Sequence, residues 1–130
     1  MMARASRRDR PFAVIALDVD GLKGGNDSRG HQAGDDLLRG IAEALRDVLR
    51  VEDIAVRLGG DEFVALLPDA DRGEAVKVAY RIRQRIVTVA EHGSVSTGIA
   101  VWRRGDDPDE TLREADLELY RSKAARAVGA

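Results

Sequence analysis

The chain has 130 residues, 44% hydrophobic and 34% charged, which suits one compact domain with a real core and a well-solvated surface. A near balance of 21 basic and 23 acidic residues, net charge −2, argues against a broad nucleic-acid-binding surface. The absence of cysteine excludes disulfides and thiolate metal sites, and two histidines, His31 and His92, argue against a multi-histidine zinc site.

Residues 1–11 carry Arg4, Arg7, Arg8 and Arg10 with no signal-type apolar stretch behind them, and are expected to form a disordered basic leader. One domain is expected over 12–130. No apolar run approaches the roughly 20 residues needed to cross a bilayer, so no membrane partner is expected and the chain reads as cytoplasmic.

Phe12 to Val19 is a short apolar run ending in acid, which predicts a buried strand. Residues 21–30 are expected to form a glycine-rich loop or a short irregular helix. From about Ala33 to Arg50, Leu37, Ile41, Leu45 and Val48 recur at helical spacing. Asp53 to Leu58 and Glu62 to Leu67 read as strands of a hairpin, with Gly59 and Gly60 supplying the positive φ of a tight turn. Asp71 is placed to cap a second helix, with Glu74 completing a capping box and Val76, Ala79, Ile82 and Ile86 as its stripe. Ser94 to Trp102 predicts another strand, with Val95, Thr97, Ile99 and Val101 on one face. Asp107-Pro108-Asp109-Glu110 starts a last helix carrying Leu112, Ala115 and Leu119. The order implies an α+β domain with a mixed sheet and helices mainly on one face.

Two acidic motifs carry the chemistry. Asp18-Val19-Asp20 lies where the first strand runs out, and Gly59-Gly60-Asp61-Glu62-Phe63 puts two carboxylates at a hairpin tip. Taken singly, each is also ordinary turn chemistry. If the strands are neighbours, Asp18 and Asp61 converge, and their charges repel unless a divalent cation lies between them. Such a metal is expected to be a hard cation, Mg2+ or Mn2+. Only three of the 21 basic residues are lysines, Lys23, Lys77 and Lys123, and Lys23 lies in the glycine-rich loop, where a compact ammonium suits a polyphosphate.

Asp18-Val19-Asp20-Gly21-Leu22-Lys23-Gly24-Gly25-Asn26-Asp27, Gly30-His31-Gln32-Ala33-Gly34-Asp35, Arg57-Leu58-Gly59-Gly60-Asp61-Glu62-Phe63 and Ala115-Asp116-Leu117-Glu118-Leu119-Tyr120-Arg121-Ser122-Lys123 together resemble the GGDEF diguanylate cyclases. The resemblance implies a palm-like, ferredoxin-like nucleotidyl cyclase fold, here N-terminally shortened, and a bacterial signalling nucleotidyltransferase. It implies that Asp18, Asp61 and the Val19 carbonyl hold Mg2+ or Mn2+, with Glu62 beside them supporting the metals or deprotonation of the 3′-hydroxyl. Gly21, Leu22, Lys23 and Lys123 would bind the substrate's phosphates, Asn26 and Asp35 its guanine, and Gly60 would also contact the substrate. A carboxylate accepts from guanine N1–H and N2–H₂, a donor pair that adenine lacks, so Asp35 implies GTP over ATP. Two GTP molecules would be joined into cyclic di-GMP across a transient homodimer.

Arg50-Val51-Glu52-Asp53 resembles the family's RxxD inhibitory site for cyclic di-GMP, with Arg81 as a second arginine. Two other readings stay open: a catalytically weak or inactive module that binds GTP or cyclic di-GMP for signalling, and a cyclase making another cyclic nucleotide.

Overall fold

The computed structural model describes residues 10–20, 31–89 and 94–129. In chain order these form β1 (Phe12–Val19), α1 (His31–Val48), β2 (Ile54–Gly59), β3 (Glu62–Pro68), α2 (Arg72–Val89), β4 (Val95–Trp102) and α3 (Pro108–Gly129). The four strands make one sheet in the order β2-β3-β1-β4.

The α+β, palm-like class stands, but the sheet is antiparallel at every described pairing rather than mixed. Topology supplies the reason. The β1-α1-β2 and β3-α2-β4 crossovers each join strands running the same way. Each also admits one strand of the other unit between its own two, so every neighbour runs opposite. The acidic end of β1 thereby lies between β3 and β4, with Asp18 facing Glu62 on one side and Ser96 on the other.

Strand alternation splits the core into two layers. Ala13, Ile15, Leu17 and Val19 of β1 pack with Phe63, Ala65, Leu67, Val95 and Ile99 under Ile41 and Leu45 of α1 and Ala79, Ile82 and Ile86 of α2. Val14 and Ala16 turn to the opposite face and meet Val64, Ala100, Ala115 and Leu119. The third helix therefore covers the face that the sequence leaves uncovered. It comes close because Gly98 has no side chain: a Cβ there would collide with the Ala115 carbonyl and the Leu119 backbone nitrogen.

Two predicted stripes are corrected by one residue. On α2, Ala75 is buried and Val76 is exposed, because Ala75, Ala79, Ile82 and Ile86 keep the i, i+4, i+7, i+11 spacing of one face. On α3, Thr111 is buried and Leu112 is exposed, giving Thr111, Ala115 and Leu119 in i+4 steps. Both predicted helix starts are realised. The Asp71 carboxylate accepts from Glu74 N–H at 2.9 Å while Glu74 Oε1 accepts from Asp71 N–H at 3.4 Å. The Asp107 carboxylate accepts from Asp109 N–H at 3.0 Å just before Pro108.

Residues 1–9 of the predicted leader lie outside the described residues. Pro11 is tied to the body, its carbonyl accepting from Ala70 N–H at 3.1 Å.

Candidate active site

Three elements meet at the end of β1. The β2–β3 turn brings Asp61 alongside, and its carbonyl accepts from Val19 N–H at 3.2 Å. Gly59 and Gly60 have φ of 154° and 48°, conformations that favour glycine, and a Cβ at either would meet nothing within 4 Å. The turn backbone is thus open to an approaching ligand. Arg57 pins it from behind, donating from Nη2 at 2.7 Å and Nε at 3.1 Å to the Gly60 carbonyl.

From the other side, α3 brings Lys123. Its ammonium lies 3.0 Å from Asp18 Oδ2 and donates to the Val19 carbonyl at 3.3 Å. The other Asp18 oxygen, Oδ1, is buried with no hydrogen-bond partner. Burial raises the Asp18 pKa above the ordinary carboxylate value; Lys123 opposes the rise and the nearby Asp61 charge adds to it.

Glu62 faces Asp18 across the β1–β3 ladder. Its pKa is also raised, by burial first, then by hydrogen bonding to and repulsion from Asp116 on α3, and further by Asp18 and Asp61. Asp116 is a member of this cluster that the acidic motifs alone do not single out. The signal for it is its position seven residues before Lys123, two helical turns along the same face.

Asp20 belongs to the same strand-end motif but is held elsewhere. Ser96 and Ser94 hydroxyls donate to its two carboxylate oxygens at 2.8 and 3.1 Å. That bonding makes it a clamp between β1 and β4.

The oxygen set is hard and over-acidic, and it contains a buried orphan atom, which is what a divalent cation would satisfy. Among the described residues no group of three or more His, Asp or Glu side chains could hold a metal alone. Asp18, Asp61 and the Val19 carbonyl would share the ion with substrate oxygens, the usual arrangement for magnesium in phosphoryl-transfer sites.

The remaining predicted positions fall differently. Gly21, Leu22, Lys23 and Asn26 lie outside the described residues. Asp35 is exposed near the start of α1 and lines a groove of about 800 Å³ between that helix and β2. Arg50 and Asp53 line the same groove, whereas Asp18 and Asp61 do not. Arg50 grips Asp53 through Nε at 3.2 Å and Nη2 at 3.0 Å, and Nη2 also donates to the Pro68 carbonyl at 3.1 Å. Arg81 is exposed on α2 and makes no hydrogen bond to either residue.

Residues 1–127 match the family model "Diguanylate cyclase, GGDEF domain". The chain belongs to the GGDEF domain family. It is 36% identical over 130 residues to the diguanylate cyclase DosC of Escherichia coli (strain K12), covering 94% of this chain and 28% of that protein. The chain thus spans less than a third of the length of this curated relative. Among solved structures, the active GGEEF domain of a diguanylate cyclase from Vibrio cholerae superposes with a TM-score of 0.84 at 32% identity, covering 95% of this chain and 83% of that one. The GGDEF domain of DgcB from Caulobacter crescentus, solved with c-di-GMP, gives 0.82 at 28% identity, covering 95% and 80%.

In this GGDEF domain the signature hairpin is the β2–β3 turn, and its acidic positions face the end of β1. No described helix is long and apolar enough to cross a membrane.

Proposed function

We propose that this domain is a diguanylate cyclase, condensing two GTP into cyclic di-GMP as two copies meet. The observation that carries this reading is the convergence of Asp18 and Asp61 around a buried, unsatisfied carboxylate oxygen. Clustered carboxylates cost stability when left uncompensated, so their retention together points to a cationic ligand.

In the reaction, the 3′-hydroxyl of each GTP attacks the α-phosphate of the other. Two phosphodiester bonds form, two pyrophosphates leave and two protons are released. Asp18, Asp61 and the Val19 carbonyl would hold Mg2+ or Mn2+, which when bound would supply Lewis acidity toward the attacking hydroxyl and the α-phosphate. Glu62, paired with Asp116 beside those oxygens, receives the hydroxyl proton. The open backbone at Gly60, together with Gly21, Leu22, Lys23 and Lys123, holds the phosphates. Asn26 and Asp35 select guanine. Each chain carries half of the reacting assembly, so a monomer is inert. Arg50, Asp53 and Arg81 bind the product as an inhibitor, and the reaction takes place in the cytoplasm.

The test is incubation with labelled GTP and Mg2+ over a range of protein concentrations. Cyclic di-GMP should form at a rate that rises faster than linearly with protein. Tight GTP or cyclic di-GMP binding without product would replace the cyclase by a receptor, and a different cyclic nucleotide would overturn the guanine assignment.

A further inference from the structure

Lys123 does more in this fold than wait for a phosphate. Its ammonium sits on Asp18 Oδ2 and the Val19 carbonyl, two of the oxygens assigned above to the metal. The contact is partly shielded, the Lys123 and Asp18 side chains being 35% and 24% exposed, so the attraction is stronger than that of a surface pair. The backbone beneath is rigid, because Gly98 lets α3 lie directly on β4 one helical turn before Lys123. The side chain above it is a flexible four-carbon stem with a point charge, able to leave without moving the helix.

We propose that Lys123 is the site's resident counter-cation. It occupies the metal's oxygens in the nucleotide-free protein and surrenders them when a triphosphate draws the ammonium away. A divalent cation arriving alone must displace a positive charge from Asp18 and Val19, and so binds weakly. A cation arriving with a triphosphate finds those oxygens free. Metal and nucleotide therefore bind as a coupled pair, and the coupling is reciprocal. This inference rests on the assignment of Asp18 and Val19 to the metal, and it adds to that assignment an order of occupancy.

The probe is Mn2+ alone, titrated calorimetrically into the nucleotide-free 130-residue protein and its K123M variant. Removing a charge this close should tighten Mn2+ binding by about tenfold or more. Equal or weaker binding in K123M overturns the proposal. So does a gain that survives when D18N is added, since the ion would then be bound elsewhere.

A measurement on the unaltered protein guards against a variant that folds poorly. With only three lysines in the chain, side-chain methylene NMR can follow each one. Saturating Mg2+ should shift the Lys123 signal, assigned in the unaltered protein by through-bond connectivity to its backbone, and an unmoved signal overturns the proposal. Failure of the cyclase reading is distinct: it would appear as no cyclic di-GMP from GTP while the Mn2+ affinities still differ.

Discussion

The two ends of the β2–β3 hairpin carry opposite solutions to the same electrostatic problem. At the open end, Arg50 closes on Asp53 with two side-chain bonds, and the Asp53 carboxylate accepts a further bond from Arg50 N–H at 2.8 Å. The Asp53 side chain is 1% exposed, yet every oxygen has a donor. Asp53 in turn holds the Arg50 guanidinium even more firmly protonated than usual. At the turn end, among the described residues, acids from β1, β3 and α3 face Lys123, the buried Asp18 Oδ1 has no donor, and burial pushes Asp18 and Glu62 toward protonation. A charge pair that satisfies itself pins the backbone. A cluster that does not is built to be completed by a ligand.

The sharpest way to break this comparison is Asp61→Ala. It should lower turnover of GTP by roughly a thousandfold, since several kcal/mol of charge stabilisation are lost with the metal, while urea unfolding changes little. Full activity in that variant would remove the turn end from the chemistry.

Next in size is Arg50→Ala. Leaving the Asp53 carboxylate short of its charged donor should cost about 2 kcal/mol in urea unfolding. The loss should be similar with or without Mg2+, because this end is complete without a metal. The same variant should also relieve inhibition by cyclic di-GMP. Inhibition curves that match the unaltered protein would leave the pair with a structural role alone.

The smallest effect is a pH slope. Glu62 has a raised pKa, so the folded state holds its proton more tightly than the unfolded state does. That contribution is fully present below the ordinary value of 4.5 and is lost as pH rises through the higher folded value. In EDTA, Glu62→Gln should flatten the decline, so that the variant gains on the unaltered protein as pH rises above the ordinary value of 4.5. Arg50 titrates far above this range and should give no such slope. Parallel stability curves for Glu62→Gln and the unaltered protein would mean that the turn end is not over-acidic.

Much of the fold was legible before any coordinates. The 3.6-residue stripe of α1, the Asp71–Glu74 box, the Asp107-Pro108 start and the Gly59-Gly60 turn each depend on residues a few positions apart, so local chemistry specifies them. The boundaries moved by one or two residues. Only the first member of the α2 and α3 stripes moved, by one residue, because an apolar side chain such as Val76 or Leu112 carries no mark of which side of its helix faces the sheet.

The acidic motifs were equally plain as a list of residues, but not as a site. Asp116 and Lys123 belong to a helix far along the chain, and the Lys123 bond to Val19 spans 104 residues. It forms only because the two crossovers interleave and α3 settles at Gly98, on the face away from α1 and α2. Periodicity and capping are written in short stretches of chain, so sequence alone determined the elements and named the acids. Which carboxylates meet, and which of their oxygens is left without a partner, follows from long-range packing and was decided by the tertiary structure.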